Sequence, residues 1–499
     1  MKRTGIIDIG SNSMRLSIIQ EFAGGGYSVL DEQKSSPRLA GEINPSGDLS
    51  ARGISELILH LEEFLSLSRS YEVDRLLAIG TAALRMANNR DRICAEVQQA
   101  LGLRIDIISG EQEALLGFMA VKHTLPVSDA LLVDIGGGST EVTWVREGQL
   151  LASRSFPFGA VTVSKWRSPG HAAALTEWLA TVRALLAESR LVTDSGPMEI
   201  IGIGGTIRNI GQVYQAQHSY PLSQTHNFLM TGAQVQETVA FLADMPLSRR
   251  RKTEGLSKDR ADLIVPGGAI VLALLQLTKS PSLRISGRGV RDGLFFSSRE
   301  DATVTTGDDI LDASIGSLLS HFGVTKVHAA HVAKLAQTLF EAATAAGLLP
   351  TDCNRILRTA SLLHRIGAYV SYYHYERHTF YLIVNSAIYG LSHREIVLSA
   401  AVAAYNGRSK MRKLCLPYLS MLQEHDLDLA ARLGVLVRLA EALDRRHAGC
   451  VPHITARFDH ERFEIWLPGG CDAQVEVSAM LALGSHVKKV FGRTLTICN

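Results

Sequence analysis

The sequence predicts an α/β protein with two related lobes around a cleft, followed by an all-α domain and a small α+β module. Short buried strands alternate with helical stretches up to residue 296, the pattern of a sheet covered by helices. The stretch "GIIDIGSNSMRLSII" at 5–19 returns as "LLVDIGGGSTEVTWV" at 131–145, so that Asp8 is repeated by Asp134, 126 residues on. Beyond residue 309 the strand signals give way to long helical stripes. With 499 residues the chain is too long for one ordinary core and has room for three or four domains.

Taken in order, "TGIIDIGSNSMRLSII" (4–19) reads as strand, polar glycine turn, strand. In "GISELILHLEEFL" (53–65), Ile54, Leu57, Ile58, Leu61, Phe64 and Leu65 fall on one helical stripe. "DRLLAIGTAALR" (74–85) is a short buried strand entering a loop or helix. "LRIDIIS" (103–109) is a further strand and "EQEALLGFMAVKHTL" (111–125) a helix. The second lobe opens with the echoed hairpin. It continues through "MEIIGIGGTIRNIG" (198–211), a strand entering a glycine-rich turn and a helix, then "ADLIVPGGAIVLALLQL" and "SLRISGRGVRDGLFF". The polar, aperiodic stretch 297–309 is the expected linker. Helices are expected at 327–347, 355–370, 394–406 and 427–446, then a β-hairpin turning at Asp459–Glu461. The expected domains are 1–125, 126–305, 306–447 and 448–499.

Composition excludes several classes. The chain is 46% hydrophobic and 20% charged with a net charge of only +2, so no global basicity points to nucleic acid. Its six cysteines form no CxxC pair and suit neither zinc nor a disulfide framework. "MKRT" runs straight into a strand, and the longest apolar run, 269–277, is too short to span a bilayer. A soluble cytoplasmic protein is the expectation. Basic stretches at 248–260, 284–291 and 406–413 read as solvated faces or as local capture of a polyanion. They lack interleaved aromatics, which speaks against single-stranded nucleic acid.

The chemistry gathers at the echoed turns. Gly136, Gly137 and Gly138 let a backbone come close to a ligand and aim N–H groups at phosphate oxygens. Ser139 and Thr140 add hydroxyls, and Ser11, Asn12 and Ser13 offer the same on the first lobe. A lone glycine triplet is a weak signal, but two such loops with "GIGGTIRN" as a third point to phosphate binding between lobes. Asp8 and Asp134 end their strands, and Glu141 lies seven residues past Asp134. Carboxylates beside a phosphate nest suit Mg²⁺ (or Mn²⁺). Glu111 and Glu113 read first as helix-start acids, yet Glu113, between the two phosphate loops, is placed to activate a water. Arg85 reads equally as an anion holder or a surface ion pair.

Together these motifs resemble the exopolyphosphatase / guanosine pentaphosphate phosphatase family, within the superfamily of actin, sugar kinases and heat-shock ATPases. The ordered matches are "IDIGSNSMRL", "GTAALRMANN", "SGEQEALLGFMAVKHT", "VDIGGGSTE", "GIGGTIRNI" and "ADLIVPGGAIV". The resemblance implies two actin-like (ribonuclease H-like) lobes and stepwise hydrolysis of a terminal phosphate from inorganic polyphosphate, guanosine pentaphosphate or both. It implies Glu113 as catalytic base, Asp134 and Glu141 as ligands of the divalent cation, and Asn12, Ser13, Gly136, Gly137, Gly138 and Ser139 as phosphate contacts. Arg85 matches a substrate-binding arginine, and a homodimer without a membrane span is expected. The helical region resembles the metal-dependent HD phosphohydrolase fold, but "SLLHRIG" puts Arg365 where that fold needs an aspartate after His364. Arginine cannot ligate a cation. His328, His331, His378 and Asp444 are therefore expected to form no second metal site. The basic stretches favour polyphosphate over guanosine pentaphosphate. A kinase or ATPase of the same superfamily and a non-catalytic polyphosphate or alarmone sensor are the alternatives. The first has no sugar or peptide motif to support it, and the second has no need of a base at Glu113.

Overall fold

The computed structural model describes residues 2–23, 26–166, 171–194, 198–299 and 307–498, and it forms two compact units, 1–310 and 311–499. The first unit holds two sheets. One has strand order β3-β2-β1-β4-β5, from β1 (Lys2–Ile9), β2 (Met14–Glu21), β3 (Tyr27–Ser35), β4 (Arg75–Gly80) and β5 (Asp106–Ile107). The other runs β10-β11-β9-β6-β7-β8, from β6 (Ala130–Ile135), β7 (Thr140–Arg146), β8 (Gln149–Phe156), β9 (Glu199–Ile203), β10 (Phe228–Thr231) and β11 (Ser282–Ile285).

The echo extends from one hairpin to whole sheets. In each, three antiparallel strands are followed by parallel partners of the first strand, β1 with β4 and β6 with β9. The second sheet adds β10 at its edge. The two turns close alike, Gly10 N donating to Ser13 O at 3.2 Å and Gly136 N to Ser139 O at 3.0 Å.

The first sheet buries Ile7, Ile9, Met14 and Leu16 against Leu57, Leu61 and Phe64 of helix Ala51–Ser70. Ser50 caps that helix by accepting from Gly53 N at 3.0 Å. The second sheet shares one apolar core with helix Ile264–Thr278, which is buried along nearly its whole length. Each such large apolar side chain contributes about 1.5–3 kcal/mol by leaving water.

Packing departs from chain order at two helices. Gly110–Lys122, expected within the first lobe, packs on β6, β7 and β8 of the second sheet, with Phe118 and Val121 against Leu132, Val145 and Ile201. Val290–Ser297, late in the second lobe, packs on β1 and buries Phe295 and Phe296 against Ile6 and Ile19. The expected strand 103–109 is only β5. The expected linker is flanked by helices, one ending at Ser297 and one beginning at Gly307, and its residues 300–306 lie outside the described ones.

The second unit is helical, with a three-stranded sheet of order β12-β13-β14. Its strands are β12 (Thr455–Phe458) and β13 (Arg462–Trp466), the expected hairpin, and β14 (Thr494–Cys498), parallel to β13. Among the described residues no helix is long and apolar enough to cross a membrane.

Candidate active site

The two hairpin turns meet in a cleft of the first unit. It is lined by Gly10, Asn12 and Ser13 from one turn and by Gly136, Gly137 and Ser139 from the other, with Glu113 and Asp134 between them. The loops touch closely. A Cβ on Gly138 would lie 2.9 Å from Ser11 Oγ, and one on Gly137 3.0 Å from Ser11 Cβ. Asn12 is buried, and its amide nitrogen has no partner, which leaves a donor for an anion at the cleft floor.

Glu113 is brought here by a helix start. Ser109 and Gln112 form a capping box, with bonds of 3.2 and 2.8 Å, that fixes how the Gly110–Lys122 helix enters. Glu111 then faces solvent, whereas Glu113 is buried. Both acids lie in the first turn of that helix, and burial separates them.

Arg85 follows β4 on a short helix, Ala82–Met86, and reaches across to both carboxylates. It donates to Glu113 Oε2 at 2.9 Å and to the Ile108 carbonyl at 3.0 Å, and lies 3.8 Å from Glu141 Oε1. Ser139 Oγ stands 3.4 Å from its other nitrogen. Glu141 Oε1 also accepts from Ser155 at 2.7 Å, and its Oε2 is buried without a partner.

These acids crowd one another. Burial and the Glu141 charge push the Asp134 carboxyl up to about 7, with Arg208 opposing. Burial, then Glu141, push Glu113 well above the usual glutamate range, while Arg85 pulls it back. Burial raises Glu141 as well, against its bonds to Ser155 and Ser139. An orphaned carboxylate oxygen among mutually repelling acids is what a divalent cation would relieve, so the residues present fit one. Among the described residues no three His, Cys, Asp or Glu side chains are placed to cage a metal by themselves. A Mg²⁺ ion needs only one or two carboxylates when phosphates and water supply the rest.

Arginines line the cleft beside these acids, and the sequence motifs do not single them out. Arg15, Arg208, Arg260 and Arg291 all line the cleft. Burial, then the charges of Arg15, Arg291 and Arg260, lower Arg208 to about 10, so these guanidiniums repel one another. Arg208 donates to the Gly287 carbonyl at 2.9 Å, and Arg291 pairs with Glu32 at 3.0 Å. Arg15 faces Asp8 across the β1–β2 hairpin, where Glu141 faces Asp134 in the echo. Arg208 sits in the first turn of helix Gly205–Gln217, whose N-terminus opens on the cleft and favours negative charge. Arg260 lies over Gly205, where a Cβ would stand 2.1 Å from its Cζ.

The basic stretches are used differently from a continuous polyanion track. Arg250 is buried and donates to the carbonyls of Met245 and Ala261 at 3.1 Å. Arg284 pairs with Glu199 at 2.9 and 3.0 Å, and Arg408 pairs with Asp428. In the second unit, Arg365 turns to Glu441 at 3.3 Å and stacks over Tyr375. His328 pairs with Asp444 at 2.7 Å, and His331 bonds the Val451 carbonyl at 3.0 Å.

Residues 17–302, more than half of the chain, match the model described as the Ppx/GppA phosphatase family, and residues 310–477 match that of Ppx/GppA phosphatase domain III. Relatives from Aeromonas salmonicida and Aeromonas hydrophila, named guanosine-5'-triphosphate,3'-diphosphate pyrophosphatase, are 28% identical over 476 residues, 93% of this chain and 92% of theirs. The crystal structure of the Aquifex aeolicus Ppx/GppA family member is 26% identical with a TM-score of 0.53, covering 60% of this chain and 99% of that one. An exopolyphosphatase structure from Cytophaga hutchinsonii, 21% identical with a TM-score of 0.56, covers 59% and 97% and shares the fold.

Proposed function

The chain belongs to the Ppx/GppA phosphatase family, a family of hydrolases, and from that premise we propose that it releases the terminal phosphate of inorganic polyphosphate as orthophosphate, in a divalent-cation-dependent reaction. One observation carries the reading: the buried Glu113 and four arginines, Arg15, Arg208, Arg260 and Arg291, line one cleft with two phosphate-type loops. The open volume is about 130 Å³, well below that of pockets enclosing a drug-sized ligand. The cleft therefore suits the end of a substrate rather than all of it, which favours removal of terminal groups.

In this proposal Asn12, Ser13 and the Gly136–Ser139 backbone orient the terminal phosphate. Glu113 takes a proton from water as its oxygen bonds to the terminal phosphorus, and the anhydride bond to the rest of the chain breaks. The shortened polyphosphate leaves as an anion whose charge Arg15, Arg208, Arg260 and Arg291 offset. Positioning and charge neutralisation are the main contributions to such a transfer. Asp134 and Glu141 would hold Mg²⁺ or Mn²⁺, which when bound neutralises charge on phosphate oxygens. A homodimer in the cytoplasm belongs to the same proposal.

The names of the Aeromonas relatives favour a second reading, guanosine pentaphosphate as the substrate in the same cleft. One assay separates the two: purified protein with Mg²⁺, offered long-chain polyphosphate and guanosine pentaphosphate separately, with orthophosphate measured. Release from polyphosphate is expected, and Glu113→Gln should lower it by about a hundredfold or more, the usual contribution of a general base. Release from the nucleotide alone would establish the second reading. An undiminished Glu113→Gln would sink the assignment of the base.

A further inference from the structure

The two lobes also meet beside the cleft, through a short strap that follows the exposed edge strand β3. Lys34 pairs with Asp259, and Ser36 Oγ donates to the same carboxylate at 3.3 Å. Arg38 forms a two-pronged pair with Asp262, at 2.7 and 3.3 Å, and donates to the Asp259 carbonyl at 3.1 Å. Lys165 of the second lobe reaches the Ala40 carbonyl at 3.2 Å.

The same strap is bonded to the first phosphate loop. Arg38 N donates to Asn12 O at 3.2 Å and Ala40 N to Ser11 O at 3.0 Å. On the far side, Asp259 and Asp262 flank Arg260, and Ser257 N donates to Asn209 Oδ1 at 2.7 Å. Residues 34–40 therefore run from the Asn12 loop on one lobe to the Arg260 turn on the other, and both of those line the cleft.

Two features argue that this link is not there for stability. Arg38 and Asp262 are 49% and 30% exposed at their side chains, and pairs so exposed contribute little to folding. Arg38 also has φ 54°, the left-handed region that a residue with a Cβ seldom adopts. Such backbone is retained where the surroundings hold it, most often beside functional sites.

We infer that Arg38 is a positioning residue. Through Asp262 and Asp259 it sets the separation of the Asn12 loop and Arg260, so that one phosphate chain touches both. The inference rests on the phosphate-releasing reading of the cleft.

The test is steady-state hydrolysis of long-chain polyphosphate by the full chain. It compares Arg38→Asn, chosen because asparagine tolerates the left-handed backbone, with Arg38→Lys, Asp262→Asn and the double variant. Arg38→Asn and Asp262→Asn should each raise KM by about tenfold with kcat within about twofold. Their melting temperatures should stay within about 3 °C of wild type, and Arg38→Lys should recover part of the KM. The double variant should be no worse than either single one, because both break the same pair. An unchanged KM in Arg38→Asn, or additive effects in the double variant, overturns the inference while leaving the function standing. Loss of melting temperature with unchanged KM also overturns it, since that is a structural role. A wild-type chain that releases no phosphate from polyphosphate or guanosine pentaphosphate overturns the function and the strap together.

Discussion

Glu113 has two acids and one guanidinium for company, and that company decides when it can act as a base. Burial, then Glu141 and Asp134, raise its pKa, while Arg85 lowers it by charge and by the 2.9 Å bond. A base must be ionised to take a proton, and a raised pKa confines the ionised form to higher pH. A bound cation offsets the Glu141 and Asp134 charges but not the burial, which is the largest cause of the rise, so the acid limb of kcat/KM should lie above the ordinary glutamate range, with activity rising as pH rises through it. Arg85 is the one neighbour that opposes the shift by both charge and hydrogen bond. Arg85→Met should move the limb to higher pH and lower kcat/KM at pH 7 by about tenfold or more, the cost of a lost bond to a charged group. A pH–rate profile at saturating Mg²⁺ measures both. A limb that stays in place would mean that some group other than Glu113 titrates there.

At the scale of elements, the turn between β9 and the helix Gly205–Gln217 holds Asp134 in place. Gly204 has φ 94°, and a Cβ there would stand 2.7 Å from Asp134 Oδ1 and 2.9 Å from the Ile135 carbonyl. Gly204→Ala should cost about 1–3 kcal/mol in backbone strain and also lower phosphate release, because the carboxylate must move. Gly102 is the control, with φ 66° and nothing within 4 Å of its Cβ position. Gly102→Ala should pay the backbone strain alone and keep full activity. Denaturant midpoints and phosphate release together separate the two, and equal activity losses would show that Asp134 placement is not at stake.

The same elements show what a sequence can convey. The hairpin echo was legible because aspartate, turn and apolar pattern repeat together. Arg15 was not, because it stands where the echo has Glu141, and a repeat draws the eye to what matches. Arg208 lay inside "GIGGTIRN", where the glycines dominated. Arg260 and Arg291 fell in basic stretches whose arginines divide between the cleft, carbonyls and ion pairs, Arg291 itself pairing with Glu32, and only contacts distant in sequence decide that division. Edge strands β3 and β8 carry much exposed polar surface and lack a clear apolar alternation. The helix Gly110–Lys122 follows the first sheet in the chain yet packs on the second, and local pattern says nothing of that choice.

For the molecule as a whole, the two units meet acid through different groups. In the second unit His364 is 3% exposed and its Nδ1 donates to Ser361 O at 2.7 Å, while its Nε2 has no partner. His328 lies 5.6 Å from it ring to ring, and His447 stacks on His328 at 3.7 Å. Burial lowers His364 to about 4, with Glu441 opposing and the His328 and Arg365 charges adding to the fall. Its pKa in the folded chain is thus below the value of about 6.5 that it takes when unfolded. Unfolded chain binds the proton first as pH falls, so the stability that neutral His364 contributes is complete above about pH 6.5 and is lost progressively towards pH 4. By pH 5 the loss should be about 2 kcal/mol, and burial lowers His447 and His486 in the same direction. Hydrogen exchange on the full chain, corrected for the intrinsic effect of pH, reads this locally. Protection in helices Asn354–Leu363 and Asp426–Leu443, which pack in the core around His364, should fall between pH 7 and pH 5. Unaltered protection there would mean that His364 is not held neutral by burial, and that the histidine cluster left beside Arg365 accepts protons without cost to the fold.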